Sequence, residues 1–153
     1  MKIAFDLDGV LCDINLALLG VILHTMPDGE WRKQIENLYY SEGKVKIHPE
    51  MFLGPGDQFY IITSRSAQLE LVTAKWVQKF CPRTKLIMVD VPIPIMTNGE
   101  ELENLRELQA KKKAKVINDL GIDVYFEDSW TIVKRLRELC PKTKIICFGG
   151  RVE

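Results

Sequence analysis

A chain of 153 residues, 46% hydrophobic and 27% charged, is long enough to bury one core, so one domain with a small insertion is expected. Lys+Arg and Asp+Glu both number 21, which excludes a global electrostatic pull toward nucleic acid or membrane but leaves room for a local basic patch. No stretch approaches the roughly 20 apolar residues that span a bilayer, and no signal-peptide pattern precedes the first strand; a cytoplasmic protein with no membrane partner is expected. Cys12, Cys81, Cys140 and Cys147 form no C-x-x-C pair and are expected to be reduced, structural thiols.

Five short apolar runs read as strands, over 2–6, 58–63, 85–90, 122–127 and 144–148. After the first strand, residues 14–24 are expected to form a helix on the sheet, 31–40 a second helix, and 41–56 a loop return punctuated by glycine and proline. A helix over 66–80, opened by Ser66 as N-cap, follows the second strand. Pro92 and Pro94 mark 91–99 as a rigid surface loop. A long helix over 100–120 closes at Gly121, and another over 129–139 opens at Ser129. Two stretches, 81–87 and 140–146, both read Cys-Pro, a basic residue, Thr-Lys and two aliphatics; each is a helix stop, a turn and a new strand. Strand alternating with helix argues an α/β fold with a parallel sheet covered on both faces. About 50 residues separate the first two strands where a crossover ordinarily needs a dozen or so. Residues 14–56 are therefore read as a small cap inserted into a core of 1–13 and 57–153.

The chemistry starts at Asp6-Leu7-Asp8-Gly9-Val10, two carboxylates set two residues apart where an apolar strand runs into a turn. One carboxylate can attack phosphorus while the other moves the proton, which makes Asp6 a candidate nucleophile and Asp8 a candidate general acid/base. Standing alone, the pair could equally be a turn with Asx capping. The second strand ends Ile61-Ile62-Thr63-Ser64-Arg65, and the Thr63 hydroxyl with the amides after it could hold a phosphate oxygen at a helix N-terminus. Ser64 offers a hydroxyl or an amide, and Arg65 either reaches substrate or faces solvent. A dianionic phosphoryl group among carboxylates calls for a lysine, and the long helix offers Lys111, Lys112, Lys113 and Lys115. The fourth strand ends Phe126-Glu127-Asp128-Ser129, where Asp128 could ligate a metal, cap the next helix, or do both.

Taken together and in this order, D-x-D-G-V, T-S, the lysine and E-D resemble the four motifs of the haloacid dehalogenase (HAD) superfamily, from Met1 to about Leu139. The resemblance implies a three-layer α/β/α Rossmann-like fold with a five-stranded parallel sheet in the order 3-2-1-4-5 and a cap after strand 1. It implies a phosphatase using Mg2+, held by Asp6, the Asp8 backbone carbonyl and Asp128, with Thr63, Ser64 and the lysine on the phosphate. Relatives place that lysine ahead of a Leu-Gly-Ile-Asp approach to paired acids, as Lys113 stands before Leu120-Gly121-Ile122-Asp123; Lys112 is the second choice. Glu127 departs from the commoner aspartate and is assigned to supporting the metal site or holding Lys113. The Leu11 and Ile-Thr-Ser-Arg versions of the motifs are most similar to the 5′-nucleotidase and deoxyribonucleotidase branch. The expected partner is a small phosphorylated substrate such as a nucleotide, read by cap residues among Trp31, Arg32, Tyr39, Tyr40, Lys44, Lys46 and His48, with Trp31 and one tyrosine alternatively anchoring the cap. A phosphatase of nucleic-acid ends and a non-catalytic phosphate- or partner-binding domain are the alternatives.

Overall fold

In the computed structural model, which describes residues 1–14, 19, 29–52, 54–91 and 99–151, alternate residues of the first strand part company. Strand β1 (Lys2–Phe5) sends Ile3 and Phe5 into one core cluster and Ala4 into another. β4 (Gln58–Thr63) does the same, Phe59 and Ile61 to one face and Tyr60 and Ile62 to the other. A strand that is apolar on both faces belongs inside a sheet with a layer on each side. The other sheet strands are β5 (Lys85–Met88), β6 (Val124–Ser129) and β7 (Lys144–Arg151). All neighbours pair in parallel, in the spatial order β5-β4-β1-β6-β7. Numbered along the chain, the five strands lie 3-2-1-4-5.

Helix α2 (Glu70–Phe80) supplies Trp76 and Val77 to the first face, joined by Tyr40 of α1 (Glu30–Ser41). The opposite face takes Ala110, Ala114 and Ile117 from α3 (Gly99–Leu120) and Ile132, Val133 and Leu136 from α4 (Trp130–Leu139). The result is a three-layer α/β/α sandwich. The chain leaves β1 toward β4 and β5, then crosses back through α3 to β6 on the other side. Crossovers that depart in opposite directions open a crevice at the carboxyl ends of the central strands.

The chain between β1 and β4 is joined near its two ends. Two-residue strands β2 (Cys12–Asp13) and β3 (Lys44–Val45) pair antiparallel. Lys46 N–H donates to the Leu11 carbonyl at 2.7 Å, and the Trp76 indole donates to the Gly43 carbonyl at 2.6 Å. The return expected to be loop therefore contains β3 and a 3-10 turn over Pro49–Phe52. Strands this short carry no readable alternation. The helix expected over 14–24 and the loop at 92–98 lie outside the described residues, apart from Ile14 and Leu19, both buried.

Several boundaries differ from the sequence-based expectation; β5 stops at Met88 and β6 starts only at Val124. Ser66 makes no side-chain cap bond; it precedes a 3-10 turn (Ala67–Leu69), and α2 begins only at Glu70. The cap comes from elsewhere, since Asp90 Oδ1 accepts the Ala67 N–H at 2.7 Å, with Asp90 itself at φ 47°. β6 runs on through the acids to Ser129, and β7 extends to Arg151. Ser129 does cap α4, accepting from Ile132 N–H at 3.5 Å, and Gly121 ends α3 at φ 63°. The four cysteines carry free thiols, and burial pushes that of Cys12 up to about 12. No helix among the described residues is long and apolar enough to cross a membrane.

Candidate active site

Asp6 leaves β1 but stays on the sheet, because its N–H donates to the Phe126 carbonyl at 2.8 Å. The chain then folds back in a tight turn, Leu11 and Cys12 N–H both donating to the Leu7 carbonyl and Gly9 N–H to the Cys12 carbonyl. Gly9 has φ 86°, and a Cβ there would overlap the Asp128 carboxylate. Glycine is thus required twice, by the backbone and by the close approach of the β6 acid. Gly9→Ala is expected to cost at least 1–2 kcal/mol from the left-handed backbone alone. It should also displace Asp128, and both effects are read together as a lower melting temperature.

Lys113 is fully buried on the apolar face of α3, flanked by Ala110 and Ala114, whose small side chains let the helix lie close to the sheet. Its Nζ stands 2.7 Å from Glu127 Oε2 and 3.1 Å from Asp6 Oδ1. Burial alone would lower the lysine pKa, but Asp6 and Glu127 outweigh it and hold the ammonium well above its usual range. Glu127 is pushed up by burial and pulled down further by Lys113, so it sits below the ordinary carboxylate range. Its Oε1 accepts Ser129 N–H at 3.2 Å, and the single proton of Tyr125 Oη is shared between Oε2 at 3.4 Å and the nearer Ile62 carbonyl at 3.1 Å. Both oxygens of Glu127 are therefore in use. Lys112, in contrast, donates to the Asp90 carbonyl at 2.7 Å, while Lys111 and Lys115 pair with Glu107 and Asp119 on the outside of the helix.

Asp6 goes the other way. Burial first, then the Glu127 charge, raise its carboxyl well above the usual value, with Lys113 opposing and Asp128 and Asp8 adding to the rise. Ligand oxygens of Asp6, Glu127 and Asp128 lie within 4.8 Å of one another. Negative charge in excess of one lysine, on hard oxygen donors, is the chemistry that suits a magnesium ion. Asp6 and Asp128 fit as its ligands; Glu127 fits as the holder of Lys113.

Thr63 is buried at the end of β4, and its Oγ1 accepts Arg65 N–H at 3.3 Å. α2 starts only at Glu70, behind the 3-10 turn at Ala67–Leu69, so no α-helix N-terminus directly follows Thr63, and the Arg65 amide is taken by the Thr63 hydroxyl. Asp6, Asp8, Thr63, Ser64, Lys113, Glu127 and Asp128 all line one cavity of about 280 Å³. Four residues that sequence reasoning passed over share its wall: Arg106, Gln109, Ser129 and Ile132. The helical spacing 106, 109, 113 was the available signal.

Arg65 does not reach the cavity, and it does not face solvent. Its buried guanidinium grips Asp8 with both arms, Nε to Oδ2 at 2.9 Å and Nη2 to Oδ1 at 2.5 Å. Nη1 donates to Thr73 Oγ1 at 3.1 Å, and the guanidinium carbon stands 4.5 Å from the Tyr40 ring centre. Each Asp8 oxygen keeps a further lone-pair site. Of the other candidate substrate residues, Tyr39 packs against the core and His48 lines a separate groove with Lys79 and Phe80. Arg32 lies on α1 near Glu36, the Trp31 side chain is outside the described set, and Lys46 is fastened to the Gly9 carbonyl at 2.8 Å. Among the described residues, Tyr39, His48, Arg32 and Lys46 do not line the cavity.

No family model and no curated protein matches the chain. Solved structures do. A chain of the Pnkp1/Rnl/Hen1 RNA repair complex superposes with a TM-score of 0.61 at 13% identity, over 99% of this chain and 43% of that one. The present chain thus spans less than half the length of that relative. A HAD-superfamily hydrolase, subfamily IA, variant 1, from Geobacter sulfurreducens matches with a TM-score of 0.57 at 15% identity, over 99% of this chain and 91% of that one. At these identities the likeness speaks of fold alone, and the fold this chain shares is that of the RNA-repair chain and of the Geobacter hydrolase.

Proposed function

We propose that the chain is a HAD-type phosphatase that cleaves phosphomonoesters through an aspartyl-phosphate on Asp6. The observation that carries this reading is the junction of Asp6, Asp128 and the buried Lys113 in one cavity at the carboxyl end of the parallel sheet, which Thr63 also lines. An Asp6 oxygen attacks phosphorus, and the bond to the leaving oxygen breaks with its electron pair. Asp8 gives the leaving oxygen a proton, then takes one from the water that attacks the phosphoryl group and releases phosphate and free Asp6. Lys113 and the Thr63 and Ser64 hydroxyls hold the equatorial oxygens, where charge builds in the transition state. Asp6, the Asp8 carbonyl and Asp128 would hold a magnesium ion, which would supply neutralising charge for the phosphoryl group. Arg65 fixes the Asp8 carboxylate so that its remaining lone pairs point in set directions.

Residues 14–56 act as a small cap, and the substrate is a nucleotide or another small phosphate ester, as the 5′-nucleotidase-like motifs suggest. The likeness to a chain of an RNA repair complex favours a second reading, in which the phosphate sits on a nucleic-acid end. The test is turnover of an aryl phosphate, nucleotides, sugar phosphates and phosphorylated oligonucleotides in magnesium and in chelator, with acid quenching to trap a phosphoenzyme. Magnesium-dependent release of phosphate and an acid-stable, alkali-labile phosphoenzyme are expected. A folded protein that binds magnesium and hydrolyses nothing on the panel sinks the proposal and leaves a binding domain.

A further inference from the structure

The cavity is segregated by charge. Its four carboxylates, Asp6, Asp8, Glu127 and Asp128, come from the ends of β1 and β6. The wall contributed by α3 has no acid at all: it consists of Arg106, Gln109 and Lys113. The spacing i, i+3, i+7 sets the three on one stripe of the helix, and Arg106 stands about 10 Å before Lys113 along the axis. Lys113 lies deep and is committed to Asp6 and Glu127. Arg106 is half-buried, and its Nη1 donates to Gln109 Oε1 at 3.3 Å, so the amide orients the guanidinium along the wall. Among the described residues, Lys113 and Arg106 are the cations that line the cavity; the other α3 lysines are turned outward.

An acidic floor suits a metal and the reacting group, whereas a donor wall suits an oxyanion. A guanidinium is the side chain best shaped to take a phosphate bidentately. We infer that Arg106, oriented by Gln109, forms a second anion-binding position in this cavity, and that the substrate carries a second phosphate about two helical turns from the one that is cleaved. The inference rests on the phosphatase reading of the same cavity. The second phosphate is either that of a small bisphosphate or the phosphodiester of a strand whose end is being cleaved, and the two share the chemistry that Arg106 reads.

The experiment measures binding as well as turnover, so the two readings fail separately. Calorimetry on Asp6→Asn, with and without Arg106→Gln, compares a nucleoside 3′,5′-bisphosphate and a 3′-phosphorylated dinucleotide with the corresponding monophosphate, in magnesium. The Asp6→Asn protein is expected to prefer at least one doubly charged ligand by about tenfold or more, and Arg106→Gln to erase most of that preference, with partial recovery in Arg106→Lys. The ligand whose preference disappears names the source of the second phosphate. In the turnover series, the change should fall on KM for the doubly charged substrate and leave the ratio of kcat values near one. Equal affinity for all three ligands, or a loss in Arg106→Gln that is the same for monophosphate and bisphosphate, overturns the inference; the latter would put Arg106 on the reacting phosphate. Absence of turnover in the wild type with the binding preference intact would overturn the phosphatase reading alone.

Discussion

Asp6→Asn is expected to lower magnesium-dependent turnover by about 10⁴-fold or more and, at neutral pH without metal, to raise the melting temperature. The first effect follows from loss of the attacking oxygen; the second follows from burial. Asp6 is folded into a site where desolvation and the neighbouring carboxylates raise its pKa above the unfolded value. A group shifted in that direction contributes stability that is fully present below its unfolded pKa and lost as pH rises through the folded one. The wild type without metal loses this contribution as pH rises from 4 toward neutrality, and asparagine removes the cost. On a chain of this size each kcal/mol recovered is worth about 2–4 °C. The advantage should vanish near pH 4, where the wild-type carboxyl is protonated as well. Magnesium should raise the wild-type melting temperature more than that of the variant, because it neutralises the same charge. Thermal melts at pH 4 and 7, with magnesium and with chelator, make the check; a less stable Asp6→Asn at pH 7 would show that the Lys113 contact outweighs the buried charge.

Lys113→Met runs in the opposite direction. It removes the cation between two buried carboxylates and leaves both without it, a change expected to cost about 3–5 kcal/mol. Glu127 owes its low pKa to this lysine, so its contribution holds above its unfolded value and fades as pH falls. Lys113, with its raised pKa, contributes below its unfolded value and fades only as pH rises through the folded one. The pair is therefore worth most between the two, around neutrality. Urea midpoints should show the variant weakest against wild type at pH 7–8 and closer to it near pH 5, where its carboxyls can protonate. Lys113→Met combined with Glu127→Gln should regain part of the loss, because the second change removes one of the orphaned charges. A single variant as stable as wild type at pH 7 would contradict the buried pair. Turnover should fall in both variants.

Much of this site could be seen in one dimension because it is carried at strand ends. An apolar run that stops at an acid or hydroxyl is visible as a local pattern in β1, β4 and β6, and parallel pairing brings those three ends together. Lys113 was singled out from its neighbours only by the resemblance, through its place ahead of Leu120-Gly121-Ile122-Asp123, and the structure puts it on the buried face of its helix with Ala110, Ala114 and Ile117. What stayed hidden depends on partners far along the chain. Arg65 meets Asp8 across 57 positions, and Asp90 caps a helix that Ser66 was expected to open. No periodicity encodes such contacts. The two-residue strands β2 and β3 are likewise too short to alternate. Arg106 was missed for another reason: it sits on a half-buried flank of α3, where a basic residue looks like any solvated one.

The ribbon between Cys12–Asp13 and Lys44–Val45 has a consequence for how this architecture can diversify. Because the two ends of the intervening segment are already stapled side by side, its closure entropy is set by the ribbon, and each doubling of its length adds only about 0.6 kcal/mol. Length can therefore be added between those ends at little entropic cost, but Ile14, Leu19 and Tyr40 pack into the core of the sheet and must keep their places. Growth of the segment away from those three contacts is the change this scaffold tolerates best.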